Sequence, residues 1–179
     1  KLQPGSTSTI TGKQQSEREW FKLKATYERY HGEDRHRFGY LLEAVASDQP
    51  FFLNYRSTLT SAPAFTPLPD SKTLFLDRYR NHQYLAGGIK YIYLISQRLE
   101  GRVEGYFFQP YRPILQNSEQ QAYYGKALRG TSLIGSSSMV YHSIIGPVAV
   151  SLNYYGKAVK EWGLLFHIGY IIFQNRALD

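Results

Sequence analysis

The most restrictive feature of this chain is the run WGLLFHIGYIIF at residues 162–173. Side chains of an extended strand alternate between two sides, so Gly163, His167 and Gly169 would share one side of this run. The other side would be apolar and aromatic throughout, with Trp162, Leu164, Phe166, Ile168, Tyr170 and Ile172. A run of about 12 residues is too short for a membrane-spanning helix but suits one tilted strand of a membrane barrel. These six side chains are therefore predicted to face lipid.

Composition is compatible with a membrane barrel. The 179 residues suffice for one domain, and no stretch of 18 apolar residues indicates a helical span. A mean hydropathy of −0.41 fits a barrel, because only every second side chain of such a strand faces lipid. The chain has 16 Tyr and 10 Phe but only two Trp, and tyrosine suits membrane interfaces because its ring tolerates lipid while its hydroxyl reaches water. A Tyr-rich β-sandwich or binding surface is the alternative interpretation.

The period-2 alternation recurs along the chain and predicts an all-β, antiparallel, up-and-down transmembrane β-barrel of about eight strands. Residues 1–18 are polar and turn-rich and are predicted to be a tail or linker, and residues 19–179 are predicted to be the barrel region. The predicted strands are residues 19–30, 35–46, 51–60, 84–95, 99–109, 131–143, 148–154 and 162–173.

The predicted connections alternate in length. Minimal turns are predicted at 47–50, 96–98 and 145–147, whereas residues 61–83 and 111–130 form long connections on the opposite rim. Three prolines between Ser61 and Gln83 exclude that segment from the interior of a sheet. Short turns on one rim and long loops on the other are typical of outer-membrane barrels.

Three segments carry a family resemblance: Gly39 to Tyr93, QAYYGKAL at 121–128, and NYYGKAVKEWGLLFHIGYIIFQNRALD from Asn153 onward. They resemble the C-terminal region of patatin-like phospholipase outer-membrane proteins of the Bacteroidota, over about residues 19–179. The most specific parts are the loop at 61–73 and the closing strand with its Asn-Arg-Ala-Leu-Asp ending. In that family a patatin α/β-hydrolase domain precedes a barrel of the surface-antigen and barrel-assembly type, usually with sixteen strands.

The resemblance implies that this chain is the C-terminal half of a sixteen-stranded barrel in the bacterial outer membrane. It would anchor a patatin-like phospholipase or esterase domain, and serve as its pore or export path. The implied partners are the missing N-terminal half-barrel and patatin domain, and the barrel-assembly machinery through the C-terminal strand. The Gly-x-Ser-x-Gly and Asp-Gly motifs of the family's catalytic dyad do not occur in this chain. No catalytic residue is therefore assigned, although a full-length relative would be a serine lipid acyl hydrolase.

Charged residues on the predicted strands are candidates for the lumen wall: Arg56, Lys90, Glu100, Arg102 and Glu104. A ladder of ion pairs is the simplest interpretation, since Arg102 lies between two glutamates on one strand face. The functional alternative is a charge ring that controls passage or docks a plug. The five histidines have neither ligand spacing nor cysteine companions, so no metal site and no cofactor are expected.

Ten basic residues are predicted to lie at or near the long-loop rim: Arg35, Arg37, Lys72, Arg78, Arg80, Arg112, Lys126, Arg129, Lys157 and Lys160. Scattered surface charge is the simplest interpretation, and contact with the outer leaflet is the functional one. Lys72, Arg78, Arg80 and Lys126 are the candidates for contact with lipopolysaccharide phosphates. Nucleic acid is not an expected partner, because the aromatic residues are not interleaved with the basic ones.

Two other architectures remain open from the sequence. A self-contained eight-stranded barrel would be a structural or adhesive module, and its charged lumen would need full internal pairing. A soluble lipocalin-like binding barrel would instead turn the apolar face inward.

Overall fold

The structure is a computed structural model that describes residues 20–144, 146–156 and 161–169. This part of the chain is mostly antiparallel β-structure, with one α-helix and two short 3₁₀ helices at Asp70–Lys72 and Asp77–Tyr79. The elements are β1 (Lys22–Glu33), β2 (His36–Ser47), α1 (Tyr55–Ser61), β3 (Tyr84–Leu94), β4 (Leu99–Pro110), β5 (Ile114–Gln116), β6 (Ala122–Tyr124), β7 (Ser132–Ser143), β8 (Gly146–Tyr155) and β9 (Trp162–Ile168).

Seven of the described strands form one sheet in the order β1-β2-β3-β4-β7-β8-β9, and each pairs antiparallel with its neighbours. The predicted all-β antiparallel meander is thus confirmed. β5 and β6 pair separately as a small hairpin. Among the described residues, β1 pairs only with β2 and β9 only with β8, so both strands are edges of the sheet.

The strand predicted for residues 51–60 was wrong, because this segment contains helix α1. The Asn54 side chain accepts a hydrogen bond from the Ser57 N–H at 2.7 Å and caps the helix. The helix ends at Ser61, since Ala62 precedes Pro63 and takes the extended conformation that a following proline favours. Arg56 is therefore an exposed residue of α1, outside the sheet and away from the predicted lumen wall.

The connections differ in length between the two rims of the sheet. The short-turn rim has the links β1–β2, β3–β4 and β7–β8, and the long-loop rim has the connections 48–83 and 111–131, together with the end of β8 and the start of β9. The predicted asymmetry between the rims is present. The minimal turn predicted at 47–50 was wrong, because these residues begin the longest connection, which lies on the long-loop rim. Arg35 and Arg37 lie at the short-turn rim, so their predicted place at the long-loop rim was wrong. The tail at 1–18, Lys157, Lys160, Tyr170 and Ile172 fall outside the described residues.

The connection 48–83 packs against one face of the sheet, which we term the inner face; the opposite side is the outer face. Phe65, Leu68 and Tyr79 of the connection are each at most 2% exposed. They form the main core with inner-face side chains near the long-loop rim, namely Val45, Tyr84, Ala86, Tyr106, Phe108, Ile134 and Tyr155. A smaller cluster of Leu59, Ala62 and Ile114 joins α1 to β5. The longest connection is therefore an ordered layer over the sheet.

Candidate functional site

The outer face carries large apolar side chains on all seven strands, and they remain exposed. Alternation places every second residue of each strand on this face. Its large exposed members are Leu23, Tyr27, Phe38, Leu42, Leu85, Ile89, Tyr91, Tyr93, Val103, Phe107, Leu133, Met139, Tyr141, Val150, Leu152, Trp162, Leu164, Phe166 and Ile168. No described residue covers this surface as the connection 48–83 covers the other one.

Aromatic side chains of the outer face lie near both rims and also in the middle, where Tyr40 is opposite Ile89 and Phe166 is opposite Val150. Tyr91, Tyr93 and Tyr141 lie near the short-turn ends of their strands. At the long-loop ends of β8 and β9, the rings of Tyr154 and Trp162 lie 4.9 Å apart. Aliphatic residues such as Ile89, Val103, Val150 and Leu152 occupy the middle.

Four of the five charged residues predicted for the lumen wall lie together on the inner face. Lys90 of β3 is directly opposite Glu104 of β4, and its Nζ lies 3.5 Å from Glu104 Oε2. Arg102 pairs with Glu100, its Nε donating to Glu100 Oε1 at 2.7 Å. Glu100 is 4% exposed and also has His142 Nε2 at 3.5 Å. These groups form a ladder of compensated charges.

Two tyrosines extend this ladder across neighbouring strands. The Tyr30 hydroxyl donates to Glu28 Oε1 at 2.5 Å and accepts from Lys90 Nζ at 3.2 Å. The Tyr106 hydroxyl donates to Glu104 Oε2 at 2.5 Å. Tyr30 therefore joins the edge strand β1 to β3 across β2.

Glycines make room for both rings. A Cβ atom on Gly39 would lie 2.6 Å from the Tyr30 ring, and one on Gly88 would lie 2.2 Å from the Tyr106 ring. Each tyrosine thus lies flat over a glycine of the adjacent strand, a close approach that only a residue without a side chain allows.

A second buried carboxylate, that of Glu43, lies on the inner face nearer the long-loop rim. Glu43, 7% exposed, accepts from the Tyr84 hydroxyl at 2.7 Å and from Thr26 Oγ1 at 3.3 Å. Lys24 Nζ lies 3.6 Å from Glu43 Oε2, the oxygen that also accepts from Thr26. Glu43 was not among the predicted site residues, although the alternation along residues 35–46 places it on the strand side opposite the apolar side chains.

The connection 48–83 is tied to the sheet by a buried polar network that the sequence did not reveal. Asp70 accepts from Asn153 Nδ2 and from the Tyr155 hydroxyl, both at 2.7 Å. Asn153 Oδ1 accepts in turn from Ser136 Oγ at 2.6 Å. The Tyr79 hydroxyl lies 2.7 Å from the Leu133 carbonyl oxygen, and burial raises the pKa of Tyr79. We refer to Asp70, Asn153, Tyr155 and Ser136 as the Asp70 network.

The four residues predicted to contact lipopolysaccharide all lie in connections of the long-loop rim. Arg78 and Lys126 are exposed, and Lys72 is half-buried. Arg80 has a structural role, since its Nη1 donates to the Thr60 and Ala62 carbonyl oxygens at 3.1 and 3.2 Å and thereby holds the C-terminal end of α1. Burial lowers the pKa of Arg80, and its guanidinium lies 4.7 Å above the Phe75 ring.

His82 is fully buried where the connection 48–83 meets the β5–β6 hairpin. Its Nδ1 lies 2.8 Å from the Tyr124 hydroxyl, and its ring lies against Phe51. Nε2 is buried and has no hydrogen-bond partner among the described residues. Burial lowers the pKa of His82, since a charged imidazole would be poorly solvated here.

The terminal strand has the predicted alternation over its described part. Trp162, Leu164, Phe166 and Ile168 lie on the outer face and are at least 58% exposed. Gly163, Leu165 and His167 lie on the inner face.

Comparison of the chain with protein-family models, curated proteins and solved structures finds no match. In the described ranges, the helices fall short of the length and apolarity that crossing a membrane would require. The same ranges contain no group of three or more His, Asp or Glu residues placed to hold a metal ion. The functional argument therefore depends on the two faces of the sheet.

Proposed function

We propose that this chain is the membrane-embedded part of a bacterial outer-membrane β-barrel. Its outer face would contact lipid, and its inner face would line the interior. The observation that carries this proposal is the apolar outer face across seven strands, opposite an inner face with compensated charges.

The size of the outer face supports lipid as its partner. Six strand intervals of ~4.8 Å and about ten residues of ~3.3 Å give a surface of roughly 29 by 33 Å, on the order of 950 Å². Soluble monomers rarely expose a contiguous apolar patch above roughly 600 Å². In a bilayer the same surface needs no protein cover.

The distribution of polarity counts against a soluble lipocalin-like barrel. In such a barrel the apolar side chains would line the interior around a ligand. Here the inner face carries the main core near the long-loop rim and also five charged side chains, Glu43, Lys90, Glu100, Arg102 and Glu104. The exposed apolar side chains lie on the other side.

The two edge strands favour part of a larger barrel over a self-contained one. β1 has twelve residues and is exposed along its whole length. Unpaired backbone groups in hydrocarbon cost several kcal/mol each, so β1 and β9 require strand partners in a membrane. In the proposal, further strands N-terminal to this region supply them and complete a barrel of about sixteen strands. The intact mass of the native polypeptide tests this: a much heavier species is expected, and a native chain of 179 residues would contradict it.

The proposed role is to anchor a patatin-like lipase or esterase domain in the outer membrane. It depends on the resemblance of residues 19–179 and on the absence of the family's catalytic motifs from this chain. The barrel would also be an export path for that domain, with the barrel-assembly machinery recognising the C-terminal strand. Arg78 and Lys126 are the best placed of the four rim cations for lipopolysaccharide phosphates, because Arg80 is bound to α1.

A pair of lysine substitutions on one strand tests membrane embedding. Val150 lies on the outer face of β8 and Ser151 on the inner face. Lysine on the lipid side near the bilayer midplane costs about 2–4 kcal/mol, so Val150→Lys should reduce the heat-modifiable, urea-resistant membrane fraction. Ser151→Lys is the matched control and should insert like the wild type. Equal insertion of both variants would contradict the proposal.

A further inference from the structure

Arg29 departs from the apolar character of the outer face. Among the seven described strands of the sheet, it is the only lysine or arginine on this face, and Glu33, at the last position of β1, is the only carboxylate there. Arg29 is exposed and lies directly opposite Tyr40 of β2. An arginine that faces hydrocarbon is costly, so a membrane position requires an anion or water at its guanidinium.

The position of Arg29 along β1 is in the half of the strand nearer the short-turn rim. The strand ends four positions further on, at Glu33, which is about 13 Å along the strand. The distance along the membrane normal is shorter, because barrel strands are tilted. An arginine at such a depth extends its aliphatic stem over the apolar surface and places its charged group at the headgroup level. The leaflet concerned is the one at the short turns, opposite the leaflet of the predicted lipopolysaccharide contacts.

Two tyrosine hydroxyls hold the Arg29 side chain. Tyr27 and Tyr40, on neighbouring strands, have ring centroids 5.8 Å apart, and each is hydrogen-bonded to Arg29. His31 stacks on Tyr40, with ring centroids 5.8 Å apart and ring planes inclined by 16°. None of the ion pairs between described residues includes Arg29. Neutral hydroxyls therefore position the guanidinium, and its charge remains available to an anion.

We propose that Arg29, Tyr27 and Tyr40 bind the headgroup phosphate of a phospholipid in the leaflet at the short turns. The acyl chains of this lipid lie against Leu42 and Ile89 of the outer face. The inference rests on the proposed function, because the bilayer supplies the lipid. A phosphate matches the site, since a planar guanidinium presents paired donors to it and a tyrosine hydroxyl adds a neutral one.

The site does not depend on a free strand edge. Side chains of a strand project perpendicular to the sheet, whereas strand pairing occurs within the plane of the sheet. Arg29 and Tyr27 therefore stay on the outer face when a further strand pairs with β1, as the proposed larger barrel requires.

Two arginine substitutions that remove the same charge test the assignment. Arg29→Gln removes the main phosphate ligand, and Arg56→Gln is the matched control, because Arg56 is exposed on α1 outside the sheet. The full-length polypeptide in detergent is titrated with phosphatidylglycerol, and binding is followed by native mass spectrometry. Arg29→Gln should bind this lipid about tenfold more weakly than the wild type, since charge-assisted hydrogen bonds are lost. Arg56→Gln should bind it like the wild type.

A diacylglycerol with the same acyl chains is the second probe, because it lacks the phosphate. The wild type and Arg29→Gln should bind this probe equally. Equal binding of phosphatidylglycerol by the two proteins, or an equal loss of both probes from Arg29→Gln, would overturn the assignment. A wild-type dimer that Arg29→Gln dissociates, with phosphatidylglycerol binding unchanged, would also overturn it, because a second copy of the chain would then occupy the site.

Insertion into vesicles separates this inference from the proposed function. If the wild type inserts but binds no phosphatidylglycerol, or binds it no better than Arg29→Gln does, the inference fails and the proposed function stands. If the wild type does not insert, the proposed function fails, and the inference with it. Should Arg29→Gln alone fail to insert, the double variant Tyr27→Phe with Tyr40→Phe removes both hydroxyls and keeps the rings. Undiminished phosphatidylglycerol binding by that inserted variant would overturn the assignment.

Discussion

Single side chains show why the inner face tolerates charge. Lys90 contacts both Glu104 and the Tyr30 hydroxyl, and Glu100 contacts Arg102 and His142. Each buried carboxylate on this face has a partner, which offsets the cost of removing it from water. Sequence alternation correctly grouped Lys90 with Glu100, Arg102 and Glu104. It could not give the register that sets Lys90 opposite Glu104, because register depends on turn geometry.

His82 should make the contact between the connection 48–83 and the β5–β6 hairpin sensitive to acid. Burial lowers the pKa of His82 in the folded state. When the contact opens and the imidazole is exposed to water, it therefore binds a proton at a higher pH than in the folded state. Stability is therefore lost as the pH falls below the ordinary histidine value of about 6.5. Cleavage of residues 111–131 by added protease should increase between pH 7 and pH 5 in the wild type.

The control for this effect is His82→Gln, which keeps a polar side chain but does not titrate in this range. Its cleavage should vary much less with pH, after correction for the protease's own pH profile. A wild type and a His82→Gln variant with the same pH dependence would exclude His82 as the origin.

Individual elements differ in how far the sequence predicted them. The long strands β1 to β4 were predicted within a few residues, because polar and apolar side chains alternate along most of each strand. Residues 51–60 misled this reasoning, since Tyr55 and Leu59 are compatible with one face of either a strand or a helix. Leu53, counted as a strand residue, is 94% exposed. The β5–β6 hairpin has three residues per strand, too few for a periodic signal.

The Asp70 network could not be predicted, because Asp70 lies 83 and 85 residues from its partners Asn153 and Tyr155. Asp70→Asn should loosen the connection 48–83, since an amide donates through nitrogen and cannot accept from both partners as the carboxylate does. A buried donor left without a partner costs about 1–3 kcal/mol. Protease cleavage within residues 48–83 should therefore increase.

Asp77→Asn is the appropriate comparison for this substitution. Asp77 is an exposed aspartate of the same connection, so its change removes the same charge without touching the network. The two variants should differ clearly in cleavage rate. Similar rates would mean that the hydrophobic contacts of Phe65, Leu68 and Tyr79 hold the connection alone.

The molecule as a whole combines an ordered long connection on one face with a bare apolar surface on the other. Composition and hydropathy alone describe an ordinary protein, and the difference between the faces emerges only when alternate residues are separated. The sequence therefore predicted the antiparallel meander and the polarity of its faces. It could not predict how the connection 48–83 folds back, since that depends on contacts such as Tyr79 to Leu133 across 54 residues.

Cysteine accessibility tests the central claim most directly, because these 179 residues contain no cysteine. Single cysteines at Val103 and Val150 would report the outer face, and those at Ser138 and Ser151 the inner face. In intact membranes, a charged water-soluble maleimide should label Ser138→Cys and Ser151→Cys and spare Val103→Cys and Val150→Cys until a denaturant is added. Rapid labelling of Val103→Cys and Val150→Cys in the intact membrane fraction would show that water, and not lipid, covers the outer face.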